Sequence, residues 1–387
     1  MRSHRYAVVT AFLLLGACAH APSIADPFPP ERLSRIEPTL ESDTAALAPV
    51  AVKAALPLEP TGPARIDLTS FELPMQYNER VQEYIDLYTQ RRRSVFATWL
   101  RRMGRYREHI EAQLQSFGLP RELVYLPLIE SAYETNAASH ASAVGLWQFM
   151  KGTARTEGLE VSEYVDERRD PIRSTEAALQ HLRGLHDDFG SWYLAAAAYN
   201  SGSGRIARLL KEHGYSKGQD DAFWALHDAL PKETRDYVPM LLAATIIGEN
   251  AAHFGFAVET EQPVRFDVVT VPGATELRAV ARAAGATADE IKALNAHFIK
   301  GITPPERRSD VRIPVGAAAG FDEAFASLPA AERTRALTST HVVKSGETLS
   351  GIALKYGTTV AAITKVNRIS RPNAIAAGRK LLIPAGS

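Results

Sequence analysis

In these 387 residues, 44 basic and 44 acidic side chains cancel to a formal net charge of zero. The chain therefore lacks the basic excess that a phosphate backbone demands, which gives no reason to expect nucleic acid as a partner and fits a neutral polymer. The 45% apolar and 23% charged fractions are ordinary for a globular chain with room for two or three domains, and a single cysteine excludes an intrachain disulfide.

Arg2, His4 and Arg5 precede an apolar run at residues 7–17 that is too short to span a bilayer. The run ends in Leu15, Gly16, Ala17 and Cys18, which resembles a bacterial lipobox. Residues 1–18 are thus expected to be a lipoprotein signal peptide, with Cys18 acylated and holding the chain to a membrane through lipid alone. An ordinary signal peptide with a chance cysteine is the alternative. Ala19 rather than Asp follows, which resembles default sorting to the periplasmic face of the outer membrane. Residues 19–68 are rich in Pro and Ala without periodicity and read as an extended tether.

Helical periodicity begins near Asn78. Val81, Tyr84, Ile85 and Tyr88 fall at i, i+3, i+4 and i+7, and Phe96, Trp99, Leu100, Met103, Ile110, Leu114 and Phe117 continue the stripe. This predicts a helical prefix over 69–118. Its arginines (Arg91, Arg92, Arg93, Arg101, Arg102, Arg105 and Arg107) are expected on a solvated face, with contact to anionic lipid or peptide carboxylates as the alternative. Gly118 should close one helix and Pro120 open the next. That next helix, over 120–131, places Leu123, Leu126, Pro127 and Glu130 near one face, with Pro127 kinking or tightening it. Residues 132–144 are small and polar and read as a loop. Further helices are expected over 174–189, 191–199, 221–229 and 233–249, which makes 119–255 a mainly α domain.

Beyond about residue 256 the texture changes. Alternating runs begin at Arg265 and again at His341, and the two stretches are repeats. Leu277, Val280, Gly285, Ile291 and Asn295 find partners 72 residues on, at Leu349, Ile352, Gly357, Ile363 and Asn367. Each unit reads strand, helix, helix, strand over roughly 45–50 residues. The second copy, 341–385, resembles the LysM module, a binder of glycans containing N-acetylglucosamine. It does so through Val342, Val343, Lys344, Ser345, Gly346, Glu347, Thr348, Leu349, Tyr356, Gly357 and Asn367. The first copy, 256–315, departs from the pattern, with Ala284 where the second has Tyr356 and a longer return carrying Pro304 and Pro305. Residues 316–340 read as an Ala-rich linker.

The candidate chemistry lies in the middle. Glycosidic cleavage needs a proton delivered to the leaving oxygen, and the donor must be neutral near pH 7, which an apolar setting favours. Glu130 continues an apolar helix face and suits that task. Gln148, with two donors and an acceptor, suits an N-acetyl amide. Gly145 would allow glycan close to the backbone, and Met150 would form an apolar wall. Tyr199 can stack on a sugar or bond near Glu130. Glu134 lies one turn on. Asp166, Glu167 and Asp170, beside Arg168 and Arg169, are better explained as ion pairs or caps. Scattered histidines and the lack of any metal-ligand motif make metal catalysis unexpected, and no cofactor is implied.

Three motifs carry a resemblance: Glu130 and Ser131; Gly145, Leu146, Trp147, Gln148, Phe149 and Met150; then Ala198, Tyr199, Asn200, Ser201 and Gly202. In this order they resemble the catalytic domain of soluble-type lytic murein transglycosylases, related in fold to goose-type lysozyme. The whole chain resembles the membrane-bound lytic transglycosylase D type. The implied fold is a mainly α lysozyme-like catalytic domain followed by two small α+β (βααβ) LysM-type modules. The implied substrate is the β-1,4 bond between N-acetylmuramic acid and N-acetylglucosamine in peptidoglycan glycan strands. Glu130 would act first as acid and then as base, and the muramic acid C6 hydroxyl would close a 1,6-anhydro ring. The resemblance adds Ser131, Ser139, Gly145, Gln148, Met150, Tyr199, Asn200 and Tyr237 as substrate-side residues, Tyr237 as a partner of the acid. A lysozyme-type hydrolase and a non-catalytic wall-binding scaffold remain the alternatives.

Overall fold

Capping chemistry sets the helix boundaries of the helical domain. In the computed structural model, which describes residues 66–334, 338–369 and 375–384, Asn78 accepts from the Val81 N–H and opens α1 (Glu79–Asp86). A π-helical turn, Leu87–Arg91, joins it to α2 (Arg93–Met103), and α3 (Arg107–Phe117) follows. Gly118 closes α3 with a left-handed backbone, φ 64°, as expected of a helix-terminating glycine. The helix expected over 120–131 is split: a 3-10 turn at Arg121–Tyr125 leads into α4 (Leu126–Ser131), and Pro127 sits in the first turn of α4. Pro127 lacks an N–H, so the tightening falls just ahead of it.

The expected signal peptide, Cys18 and nearly all of the tether, residues 1–65, lie outside the described residues. Among the described residues no helix is long and apolar enough to cross a membrane.

After the short α5 (Lys151–Thr156), α6 (Pro171–Phe189) starts with Asp170 accepting from Ile172 and Arg173 N–H. α7 (Trp192–Ser201) buries Tyr193 through Ala198, and small side chains there let neighbouring helices approach closely. α8 (Ser203–His213) was not expected from the sequence, and α9 (Asp220–Ala225) is shorter than expected, with a 3-10 turn at His227–Ala229. α10 (Lys232–Glu249) is buried along most of its length. One apolar core runs from Leu73 to Phe256 and takes in helices from both the 69–118 and the 119–255 stretches.

Several arginines expected on a solvated face instead fasten chain segments. Arg93 donates to the carbonyls of Phe254 and Gly255 and lies 4.3 Å over the Phe256 ring. Arg107 pairs with Glu111 and Glu249, and Arg101 and Arg105 reach Glu261.

The repeats form two separate two-stranded antiparallel sheets among the described residues. In the first unit β1 (Asp267–Val271) pairs with β2 (Ser309–Ile313), with α11 (Leu277–Ala283) and α12 (Ala288–Leu294) between them. In the second, β3 (Thr338–Val342) pairs with β4 (Lys380–Pro384) around α15 (Leu349–Lys355) and α16 (Val360–Val366). The repeated asparagines do the same work in both. Asn295 accepts from the Arg312 N–H and donates to the carbonyls of Ile291 and Arg312. Asn367 makes the matching set with Leu382 and Ile363. Each thereby ties the second helix of its unit to the return strand.

The stretch read as an Ala-rich linker differs from that reading. It holds α13 (Phe321–Ser327) and α14 (Ala330–Arg333), and Phe321 and Phe325 are buried in the core of the first unit. Alanine-rich composition suits a helix as well as a linker, and two phenylalanines four apart give it an apolar face.

Candidate active site

Glu130 lies at the end of α4, a helix buried over all six residues, and is itself 8% exposed. The chain then turns sharply. Ala132 and Tyr133 both have left-handed backbones, φ 53° and 60°, and Tyr133 is pinned by its hydroxyl donating to the Val124 carbonyl. Left-handed non-glycine residues in succession are costly and persist only when their surroundings fix them. Ser142 and Gln148, with φ 65° and 48°, belong to the same stretch.

The turn at Gly145 is positioned from behind by a buried ion pair. Arg168 binds Asp166 through two 2.8 Å bonds and donates Nη1 to the carbonyls of Ser142 and Phe149. A Cβ at residue 145 would come within 1.7 Å of the Arg168 carbonyl oxygen, and φ there is 86°. Gly145 is buried, so its smallness admits protein backbone and not glycan, which corrects the role read from sequence.

These elements enclose a cleft of about 400 Å³ lined by Glu130, Gln148, Met150, Tyr199, Asn200 and Glu233. The Tyr237 hydroxyl, from α10, donates to Glu130 Oε1 at 2.7 Å. Burial pushes the Tyr237 and Tyr199 hydroxyls well above the usual tyrosine range, and the neighbouring Glu130 adds to it, so both remain proton donors. Gln148 commits Nε2 to the carbonyls of Gly145 (2.8 Å) and Ala137 (3.3 Å). What it can offer a ligand is its carbonyl oxygen, an acceptor for an amide N–H. Met150 is 47% exposed and forms an apolar wall. Tyr199 donates to the Trp147 carbonyl rather than to Glu130.

Asn200 is held at both ends: Nδ2 donates to Glu233 at 3.2 Å, and Oδ1 accepts from Thr234 at 2.9 Å. Glu233 is thus a second carboxylate in the cleft, which the sequence reading passed over. Its only signal was its place four residues before Tyr237.

Four expected substrate-side residues do not line the cleft, and Tyr237, buried and bonded to Glu130, is one of them. Ser131 is 1% exposed and donates to the Leu146 carbonyl, joining α4 to the Gly145 turn. Ser139 accepts from the Ala143 N–H within the loop. Gly145 faces Arg168, as above. Of the other acids, Glu134 is paired with Arg102, while Asp166 and Asp170 serve as a cap and ion-pair partners.

The first βααβ unit is fastened to the same framework. Arg312 Nη2 binds both oxygens of Asp170 at 2.9 and 2.8 Å. Asp166 N–H donates to the His297 carbonyl, and Ile299 N–H to that of Tyr164. Burial alone would raise the Asp170 carboxyl, but Arg312 and His297 hold it below the usual range. Burial lowers His297 to about 4; its Nδ1 sits 3.4 Å from Asp170 without a hydrogen bond.

A buried carboxyl held by a tyrosine, facing an amide acceptor and an apolar wall in an open cleft, is the arrangement of an acid–base enzyme. Comparison with known proteins agrees. Residues 108–222 match the family described as Transglycosylase SLT domain and 341–384 the LysM domain; 265–330 match the Lytic transglycosylase MltD, LysM-like domain. The membrane-bound lytic murein transglycosylase D of Escherichia coli K12 is 34% identical over 322 residues, which span 80% of this chain and 70% of that protein. The peptidoglycan transglycosylase of Escherichia phage T7 is 33% identical over 141 residues, 36% of this chain and 10% of that protein. The X-ray structure of an inactive mutant of the lytic transglycosylase Slt from Pseudomonas aeruginosa covers 38% of this chain and 24% of its own. Its TM-score is 0.32 at 25% identity. The chain belongs to the family of membrane-bound lytic murein transglycosylase D.

Proposed function

We propose that this chain, a peptidoglycan lytic transglycosylase by family, works through Glu130 as its one proton-transferring group. In this reading Glu130 enters the reaction as the acid, from a place 8% exposed at the end of a wholly buried helix. It gives its proton to the bridging oxygen as the bond from muramic acid C1 breaks. The substrate's N-acetyl group supports the positive charge at C1. The carboxylate then takes the proton of the C6 hydroxyl while O6 bonds to C1, which leaves a 1,6-anhydro end and restores the acid with no water consumed.

The observation that carries this reading is the hydrogen bond from buried Tyr237 to Glu130, the carboxyl that lines the cleft. Gln148 accepts from an N-acetyl N–H, Met150 and Tyr199 flank the sugar, and Asn200 is oriented by Glu233 and Thr234. Ser131, Ser139 and Gly145 shape the site from behind.

The test is Glu130→Gln in the full chain, read by mass spectrometry of the soluble products. Wild type should release muropeptides lighter by one water than reducing ends. The variant should bind sacculi normally and lose cleavage by about 10²–10⁴-fold, the worth of a general acid. Reducing-end products from the wild type would indicate a hydrolase, and undiminished cleavage by the variant would reject Glu130.

Residues 1–18 are proposed as a signal peptide ending at an acylated Cys18, which places the enzyme at the periplasmic face of the outer membrane. Support comes from the basic start, the short apolar run and the lipobox-like Leu15 to Cys18 sequence. The proposed division of labour has 69–255 as the catalytic body, the first βααβ unit as a fixed part of it, and 341–385 as the glycan-holding module.

A further inference from the structure

The joint between the helical domain and the first βααβ unit encloses a second cavity of about 530 Å³, apart from the Glu130 cleft. Asn136 and Arg169 line one side, and Asp289, Lys292, Phe298 and Ile299 line the other. Arg169 donates Nη1 to both oxygens of Asn136, at 3.3 and 3.2 Å, but its Nε is buried with no hydrogen-bond partner. That Nε is shielded from solvent and so out of a ligand's reach; what Arg169 offers the cavity is its positive charge. Lys292 is exposed on α12 and has no acidic partner among the described residues. Asp289 lies one turn before it, and Ile299, 46% exposed, adds an apolar edge. Asp166 also lines the cavity but is bound through both oxygens to Arg168. Two cations, one carboxylate not so committed and an apolar wall suit a small zwitterionic peptide better than a neutral sugar.

The position of the cavity matters as much as its charge. Asn136 belongs to the loop at 132–144, and Ala141 and Ala143 of that loop line the Glu130 cleft. One loop thus contributes to both cleft and cavity.

We propose that this cavity binds the peptide branch of peptidoglycan, with Arg169 and Lys292 taking a peptide carboxylate, Asp289 an amine, and Phe298 with Ile299 the methyl groups. It rests on the peptidoglycan reading above and adds a determinant of which strands are cut. Neither Arg169 nor Lys292 belongs to the Glu130 machinery.

The test compares the full-length wild type, Lys292→Glu and Arg169→Gln on three substrates: glycan strands bearing peptides, the same strands with peptide carboxylates amidated, and strands stripped of peptide by an amidase. On peptide-bearing strands Lys292→Glu should raise KM about fivefold, the worth of one partly exposed ion pair, with kcat little changed. Arg169→Gln should move KM the same way. On stripped strands both variants should match wild type within about twofold. Amidation should raise the wild-type KM to the Lys292→Glu value. Equal effects of Lys292→Glu on all three substrates, or none on any, would overturn the proposal. Stripped strands report the Glu130 cleft alone, so their cleavage by wild type keeps a failure here separate from a failure of the catalytic reading.

Discussion

Tyr237 places its hydroxyl 2.7 Å from Glu130 Oε1, joining α10 to α4 across 107 residues of chain. The bond fixes where the carboxyl points. Phenylalanine at 237 keeps the ring in its core position and removes only the donor. Tyr237→Phe should therefore fold normally and lower kcat about tenfold, with KM little altered, as expected for about 1.4 kcal/mol of lost positioning. Steady-state kinetics on soluble glycan strands measures this, and a wild-type kcat would remove Tyr237 from the site.

Gly145 and Arg168 share a space that a side chain cannot occupy. Gly145→Ala puts a methyl group on the Arg168 carbonyl and forces alanine into φ 86°. The cost should be at least about 2–3 kcal/mol. It would appear as a lower unfolding midpoint together with lost cleavage, because Gln148 turns on the same bend. A variant with both properties intact would show that the bend tolerates more than its geometry allows.

Acid should loosen the joint to the first βααβ unit. His297 is depressed to about 4 from an unfolded value of 6.5, so the folded form keeps it neutral. Its contribution is present above pH 6.5 and is lost as pH falls toward 4, a change on the order of 3 kcal/mol. Asp170 is also depressed, so its share is likewise lost in acid. Both effects have one sign. Thermal unfolding of wild type should weaken steadily from pH 6.5 to 4, and His297→Gln should weaken less over that range. Parallel slopes would count against His297 as the titrating group.

The two βααβ units should behave differently when removed or cut loose. The first is clamped by Arg312 to Asp170, the cap of α6. Arg312→Met leaves that carboxylate buried without its guanidinium partner, and should destabilise the catalytic body by about 3 kcal/mol. The second unit has a core of its own, built on Leu349, Ile352, Ile363 and Leu381. Deleting 341–387 should weaken sacculus binding about tenfold or more while short soluble glycans are still cut at the wild-type rate. Pull-down on purified sacculi and a soluble-strand assay separate the two outcomes. Equal loss in both assays would place the second unit in the catalytic body.

Much of this was legible in one dimension because it depends on local order. Apolar spacing marked most helices, caps and glycines marked their ends, and the 72-residue offset exposed the paired units down to Asn295 and Asn367. α8 escaped because Gly202 and Gly204 blur its start, and the segment at 316–334 because alanine does not distinguish a helix from a linker.

The sequence by itself determined most of the helices and the repeats, and that Glu130 lies on an apolar face, since each follows from periodicity within a few residues. Only the tertiary structure decided what those faces meet. It sent Ser131 inward to the Leu146 carbonyl, set Arg168 against Gly145, and brought Glu233 into the cleft beside Asn200. Such partners are chosen by packing between elements far apart in the chain, and residue spacing carries no record of them.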